Sequence, residues 1–282
     1  MRVPVDEPLD PNCLPGGRHA PLAVSIAGSG RPILALHGLG ADHIQAQRLL
    51  PQTPGIQVIA PDLPGHGDTD LEPHEPISFS HFADHVAGLL DRRHRTGQIR
   101  EPISVVGVSM GAGIALALAH RRPDLVAHLV LVRPAWLDVT PPAHLAVFPL
   151  VGGLLLAHGP ARGARVLRDT ALFRRIEARS PAMAASVLGQ FERPAAALRA
   201  RVLIEMPYSA PLPSPQALTT LTTPALVIGA PDDPVHPLWL AQALAMRLPH
   251  ARLAVVARKA IDPAEHDDAV RSEVASALSV PG

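Results

Sequence analysis

A serine with glycines two residues to either side, Gly107-Val108-Ser109-Met110-Gly111, stands between an apolar run (103–106) that reads as a buried strand and a small-residue run (112–120) that reads as a helix. A chain passes from strand to helix in so few residues only through a sharp, strained turn. Such a turn lifts the serine hydroxyl clear of the sheet, and glycines at −2 and +2 relieve the crowding it creates. About 0.1 matches to this pattern arise by chance in a chain of this length. The strand before it and the helix after it therefore carry the reading.

The same alternation extends over most of the sequence. Residues 22–27 and 32–36, joined by Gly28-Ser29-Gly30, read as a hairpin entering a sheet. A helix near 44–50, a strand at 58–60 and a helix over 78–95 capped by Ser78 follow. Next come strand 103–108, helix 110–121 and strand 128–132. From Pro134 to about Thr223 the pattern gives only helical pieces (160–170, 181–191, 193–206) and a proline-rich return. Strand 225–228, helix 237–248, strand 252–257 and helix 263–278 then restore the alternation. Continuous apolar strands separated by helices predict a mostly parallel sheet covered on both faces. The reading is an α/β core over 1–133 and 224–282, with 134–223 a helical cap above the strands' carboxyl ends.

Composition removes several classes. Lys+Arg and Asp+Glu are 25 each, so nothing attracts a phosphate backbone or an anionic membrane. Cys13 is alone, which excludes an intramolecular disulfide or a thiolate zinc site. The most apolar stretch, near 145–157, is interrupted by Pro149 and Gly152-Gly153, and no run of the roughly 18 residues needed to span a bilayer is expected. The first residues lack the apolar segment of a secretory signal, so a soluble, cytoplasmic protein acting on a small molecule is expected. Residues 1–20 read as a mobile lead-in. The 32 prolines are dispersed and read as rigid loops. Of the 15 histidines, His43, His66 and His236 fall in loops expected to rim the pocket; no pair reads as a ligand spacing such as H-E-x-x-H, and no metal is expected.

Four loops in order resemble those of the α/β-hydrolase superfamily: Leu36-His37-Gly38-Leu39-Gly40, Asp62-Leu63-Pro64-Gly65-His66-Gly67, the Ser109 turn, and the stretch from Gly229 to Pro237. The resemblance implies the α/β-hydrolase fold, with a helical cap inserted after the family's sixth strand, and a cofactor-independent serine hydrolase. It implies Ser109 as nucleophile, backbone amides of Leu39 and Met110 as the oxyanion hole, and an acid in the Asp232-Asp233 pair. The family pattern D-P-x-x-P selects Asp233. Asp62 and His37 are expected to organise their own loops. Many relatives place the base in a Gly-His pair just after the last strand. Here that register reads Lys259-Ala260-Ile261-Asp262, and the nearest histidine downstream is His266. His266 is therefore the expected base, in the order Ser, Asp, His; otherwise it is a surface residue in a charged stretch. The expected substrate is an ester, thioester or lactone with a largely apolar acyl part. A haloperoxidase-like or C–C bond hydrolase, and a non-catalytic ligand-binding protein of the same fold, are the alternatives.

Overall fold

The structure, a computed structural model, describes residues 21–50, 55–137 and 140–279; the lead-in over 1–20 and Cys13 lie outside the described residues. Seven strands form one sheet: β1 (Val24–Gly28), β2 (Gly30–Leu36), β3 (Gly55–Pro61), β4 (Ile103–Val108), β5 (Val126–Val132), β6 (Ala225–Gly229) and β7 (Ala251–Val255), in the order β1-β3-β2-β4-β5-β6-β7. All neighbours are parallel except β1 and β3.

The expected β1–β2 hairpin does not form, because β3 lies between the two strands. The glycines of the connecting turn explain how. A Cβ on Gly28 would sit 2.3 Å from the Ile56 carbonyl oxygen, and one on Gly30 would sit 2.3 Å from that of Gly55. The turn is pressed against β3, so each strand pairs with β3 and not with the other.

The central strands are buried on both faces, and their side chains alternate between two apolar layers. Leu34, Leu36, Val105, Leu129, Leu131 and Val227 face a core completed by α2 (Phe79–Arg95), α3 (Met110–Arg121) and α8 (Leu238–Arg247). Ile33, Ala35, Val106, Val108, Val130 and Ile228 face the opposite core with α9 (Pro263–Ser279). Each such Val, Leu or Ile contributes about 2 kcal/mol by leaving water. Period-two burial on both faces is what a covered parallel sheet requires. α1 (His43–Arg48) follows β2, and Ser78 caps α2 by accepting from the His81 N–H at 3.2 Å.

Between β5 and β6 the regular elements among the described residues are all helical, α4 (Val147–Arg168), α5 (Ala171–Arg179), α6 (Pro181–Leu188) and α7 (Ala200–Glu205) with short 3₁₀ turns, joined by irregular segments. α4 runs through the residues expected to break it. Pro149 lies in its first turn, where a backbone N–H has no partner to lose. Gly152 lies where α7 crosses, and a Cβ there would be 2.6 Å from the Ile204 Cγ1. The actual kink is at Gly159 (φ 68°, ψ 176°), just before Pro160. With the turn ahead of it, this segment (Ala143–Arg168, 26 residues) is long and apolar enough to cross a membrane, and 39% of its most apolar window is buried within the fold.

The helical segment meets the loops that leave the carboxyl ends of β2 and β3. Arg193 Nη1 pairs with Asp42 Oδ2 at 3.2 Å, Arg199 Nη2 donates to the Gly67 carbonyl at 2.6 Å, and Arg201 Nη1 donates to that of Pro73 at 2.7 Å.

Candidate active site

Ser109 joins β4 to α3 with φ 54° and ψ −111°. A non-glycine residue with such a backbone costs about 1–3 kcal/mol and persists only where its surroundings impose it. Here Ser109 N–H donates to the Val132 carbonyl at 3.0 Å, and the carbonyl of Ser109 accepts the N–H of Ala112 at 3.1 Å. The flanking glycines have no alternative. A Cβ on Gly107 would lie 2.3 Å from the Gly111 oxygen, and one on Gly111 would lie 2.3 Å from the Leu36 oxygen.

The acid-bearing loop after β6 is a tight turn built on Asp233. Its Oδ1 accepts the N–H groups of Val235 and His236, both at 2.9 Å. This Asx-type turn folds the peptide back so that His236 sits over its own carboxylate three residues earlier. His236 Nδ1 lies 3.0 Å from Asp233 Oδ2, and His236 Nε2 lies 3.0 Å from Ser109 Oγ. An ionised Asp233 can only accept, so Nδ1 carries the proton and Nε2 presents its lone pair to the serine hydroxyl. This arrangement can take a proton from Ser109 and stabilise the resulting imidazolium.

Electrostatics favour those protonation states. Burial alone would raise the Asp233 carboxyl, but His236, the Arg133 guanidinium 3.4 Å away and the backbone N–H groups outweigh it and hold the group far below the usual carboxylate range. Burial pushes His236 below its ordinary value, partly countered by Asp233, while Arg133 and His144 push the same way as burial. Asp232 has a positive φ of 59° and points outward, pairing with Arg258 at 3.1 Å and Arg179 at 3.8 Å.

The loop after β2 passes directly against the serine: a Cβ on Gly38 would be 3.4 Å from Ser109 Cβ. Two buried histidines hold this loop. His37 Nε2 accepts the Leu63 N–H at 3.0 Å, so its Nδ1 donates to the Gly38 carbonyl at 2.9 Å. His66 Nε2 accepts the Gly40 N–H at 3.0 Å, and its Nδ1 donates to the Pro64 carbonyl at 3.0 Å. Burial lowers both pKa values, which suits two rings that must each keep one bare nitrogen. Gln45 Oε1 accepts the Gly38 N–H at 2.7 Å. Asp62 accepts from the backbone N–H groups of His43 and Asp68 at 2.7 and 2.9 Å. Leu39 thus lies in a fixed loop beside the serine, and Met110 opens α3, where N–H groups lack helical partners. Neither N–H donates to a protein acceptor among the described residues. Backbone donors left without a protein acceptor are the kind of group that a developing oxyanion requires.

The expectation for His266 is corrected by the structure. His266, Val270, Val274 and Leu278 recur at intervals of four and form the buried stripe of α9 against the sheet. That periodicity turns His266 inward at the first turn of the helix, where its Nδ1 lies 2.8 Å from the Ala257 carbonyl oxygen. It lines a cavity between α1 and α9 together with Arg48, Arg133 and Lys259, and the nitrogen against Ser109 belongs to His236. The signal for His236 was present in Asp233-Pro234-Val235-His236-Pro237: an acid followed three residues later by a histidine within one turn.

The sheet order, the serine at a strand–helix elbow and the loop-borne Asp233–His236 pair place the chain among the α/β hydrolases. Residues 33–273 match the alpha/beta hydrolase family, and the chain belongs to it. A pimeloyl-[acyl-carrier protein] methyl ester esterase from Aromatoleum aromaticum is 33% identical over 239 residues, covering 79% of this chain and 87% of that protein. A thermophilic esterase from Thermogutta terrifontis superposes with a TM-score of 0.67 at 24% identity, over 91% of this chain and 92% of that one. A Mycobacterium tuberculosis protein described as a non-heme bromoperoxidase superposes with a TM-score of 0.66 at 26% identity, over 95% of this chain and all of that one. The chain spans about a third (31%) of the length of three mycobacterial proteins that it matches at 37% identity over 118 residues. Relatives of this chain are thus named as esterases and hydrolases, within the family to which the chain belongs.

Proposed function

We propose that the protein is a serine hydrolase that cleaves a small or medium carboxylic ester, thioester or lactone through an acyl-enzyme. The observation that carries this reading is His236, bonded at once to Ser109 Oγ and to Asp233 at 3.0 Å each. As Ser109 Oγ attacks the carbonyl carbon, its proton passes to His236 Nε2 and the carbonyl oxygen becomes an oxyanion facing the N–H groups of Leu39 and Met110. Collapse breaks the bond to the leaving group, which takes the proton from His236 as it departs. Water then attacks the acyl-enzyme through the same base, releasing the acid and restoring Ser109.

Asp233 keeps the imidazole in the tautomer that can accept. The helices over 134–223 serve as the cap, and their apolar side chains supply the acyl-binding surface. The preorganised serine and its bonded base favour this reading over a non-catalytic ligand-binding role. A fluorophosphonate probe tests it: intact-mass analysis is expected to show stoichiometric labelling of the wild type and none of Ser109→Ala. Equal labelling of both, or of neither, would reject an activated Ser109.

A further inference from the structure

A second cluster of reactive side chains lies outside this site. Glu75, on the loop ahead of α2, faces His81 and His85, which stand four residues apart on one face of that helix. Glu75 Oε1 is 3.1 Å from His81 Nε2 and 2.5 Å from His85 Nε2, and the two imidazole nitrogens are 3.3 Å apart. The side chains of Glu75 and His85 are 8% and 3% exposed, and that of His81 is 19% exposed.

We propose that Glu75, His81 and His85 form a binding site for a divalent transition metal, with Zn²⁺ the ion its donors suit best. Two imidazoles and a carboxylate are a borderline donor set that favours zinc, cobalt or nickel over magnesium or calcium. The spacing agrees. Ligands about 2.0–2.1 Å from a tetrahedral zinc stand about 3.3 Å from one another; the 3.3 and 3.1 Å edges match this, and the third, Glu75 Oε1 to His85 Nε2 at 2.5 Å, opens as the ion replaces the proton between them. A helix brings residues i and i+4 onto one face, so α2 itself sets the imidazole pair.

The carboxylate is oriented by a further contact, its Oε2 accepting the Glu72 N–H at 3.1 Å. Outer contacts of this kind fix ligands for a metal. The bound ion would clamp the 72–76 loop to α2. That loop is already tied to the helical segment by Arg201, which donates to the carbonyl oxygens of Pro73 at 2.7 Å and Glu75 at 3.2 Å. The clamp would thus steady a point where α7 rests on the core. The histidines absent from the sequence expectation were legible as His81-x-x-x-His85.

The test uses the full chain stripped with a chelator and titrated with Zn²⁺, with bound metal measured after equilibrium dialysis and Tm followed by thermal scan. The wild type is expected to take up one equivalent and to gain Tm, since a ligand bound only by the folded state stabilises it. Glu75→Gln and His81→Ala are expected to bind zinc at least roughly tenfold more weakly and to lose the Tm gain. Co²⁺ added to the wild type should give the visible absorption of a four-coordinate ion, a readout independent of whether either variant folds. No zinc uptake by the wild type, or equal uptake and equal Tm gain in both variants, would overturn the proposal and leave the cluster as a hydrogen-bonded cap on α2.

Discussion

His236→Ala is expected to lower kcat on a short-chain aryl ester by about four to six orders of magnitude, while His266→Ala stays within a few-fold of the wild type. The loss corresponds to about 5–8 kcal/mol of transition-state stabilisation. It arises because, among the described residues, His236 Nε2 is the one base that lies against the serine hydroxyl, at 3.0 Å. Without it the fixed loop carrying Leu39 and the N-terminus of α3 can still stabilise an oxyanion, but nothing takes the proton from Ser109. Because serine and base act as a unit, adding Ser109→Ala to His236→Ala should cost little more. His266→Ala removes a ring from the buried stripe of α9 and its bond to the Ala257 carbonyl oxygen, so its cost should appear in Tm. The reverse order of the two variants in kcat would return the base to the position after β7.

The neighbouring aspartates give the second large contrast. Asp233→Asn is expected to lower kcat about 10⁴-fold with little change in KM, and Asp232→Asn to lower it by less than about threefold. An amide at position 233 can still accept the N–H groups of Val235 and His236 through its oxygen, so the turn survives. Its NH₂ group would then face His236 Nδ1, which could satisfy it only as an acceptor. The ring proton would move to Nε2, leaving no lone pair for Ser109. Asp232 is an exposed partner of Arg258 and Arg179, and such surface pairs contribute about 0–1 kcal/mol. Steady-state kinetics of the two variants, with circular dichroism to confirm folding, distinguish these outcomes.

Much of this arrangement can be read from residue order because the physics is local. β4 and α3 fall on the expected residues, since an unbroken apolar run must be a covered strand and Gly107 and Gly111 fit only a crowded elbow. The expected contact between β1 and β2 fails for a non-local reason: Gly28 and Gly30 are shaped by β3, which arrives more than twenty residues later. α4 likewise outlasts its proline and glycines because Gly152 answers the approach of α7. His266 follows from a family register that this chain does not keep. Its spacing with Val270, Val274 and Leu278 already marks it as one step of a buried stripe. His236 depends on an Asx turn, whose effect is to superimpose residues that a linear reading treats as successive loop positions. The joint hold of His37 and His66 on the loop after β2 is tertiary and has no sequence signature of its own.

The most direct measurement is the pH dependence of the rate at which a fluorophosphonate probe modifies Ser109. The reactive form needs a neutral His236, so the rate should rise with pH through a single titration and then level off. Burial, together with Arg133 and His144, outweighs the opposing pull of Asp233, so the midpoint should fall below the ordinary histidine value of about 6.5. His266→Ala should reproduce the wild-type curve, and His236→Ala should abolish the titration along with nearly all of the rate. A curve that survives unchanged in His236→Ala, or one that disappears in His266→Ala, would contradict the assignment of His236 as the base of Ser109.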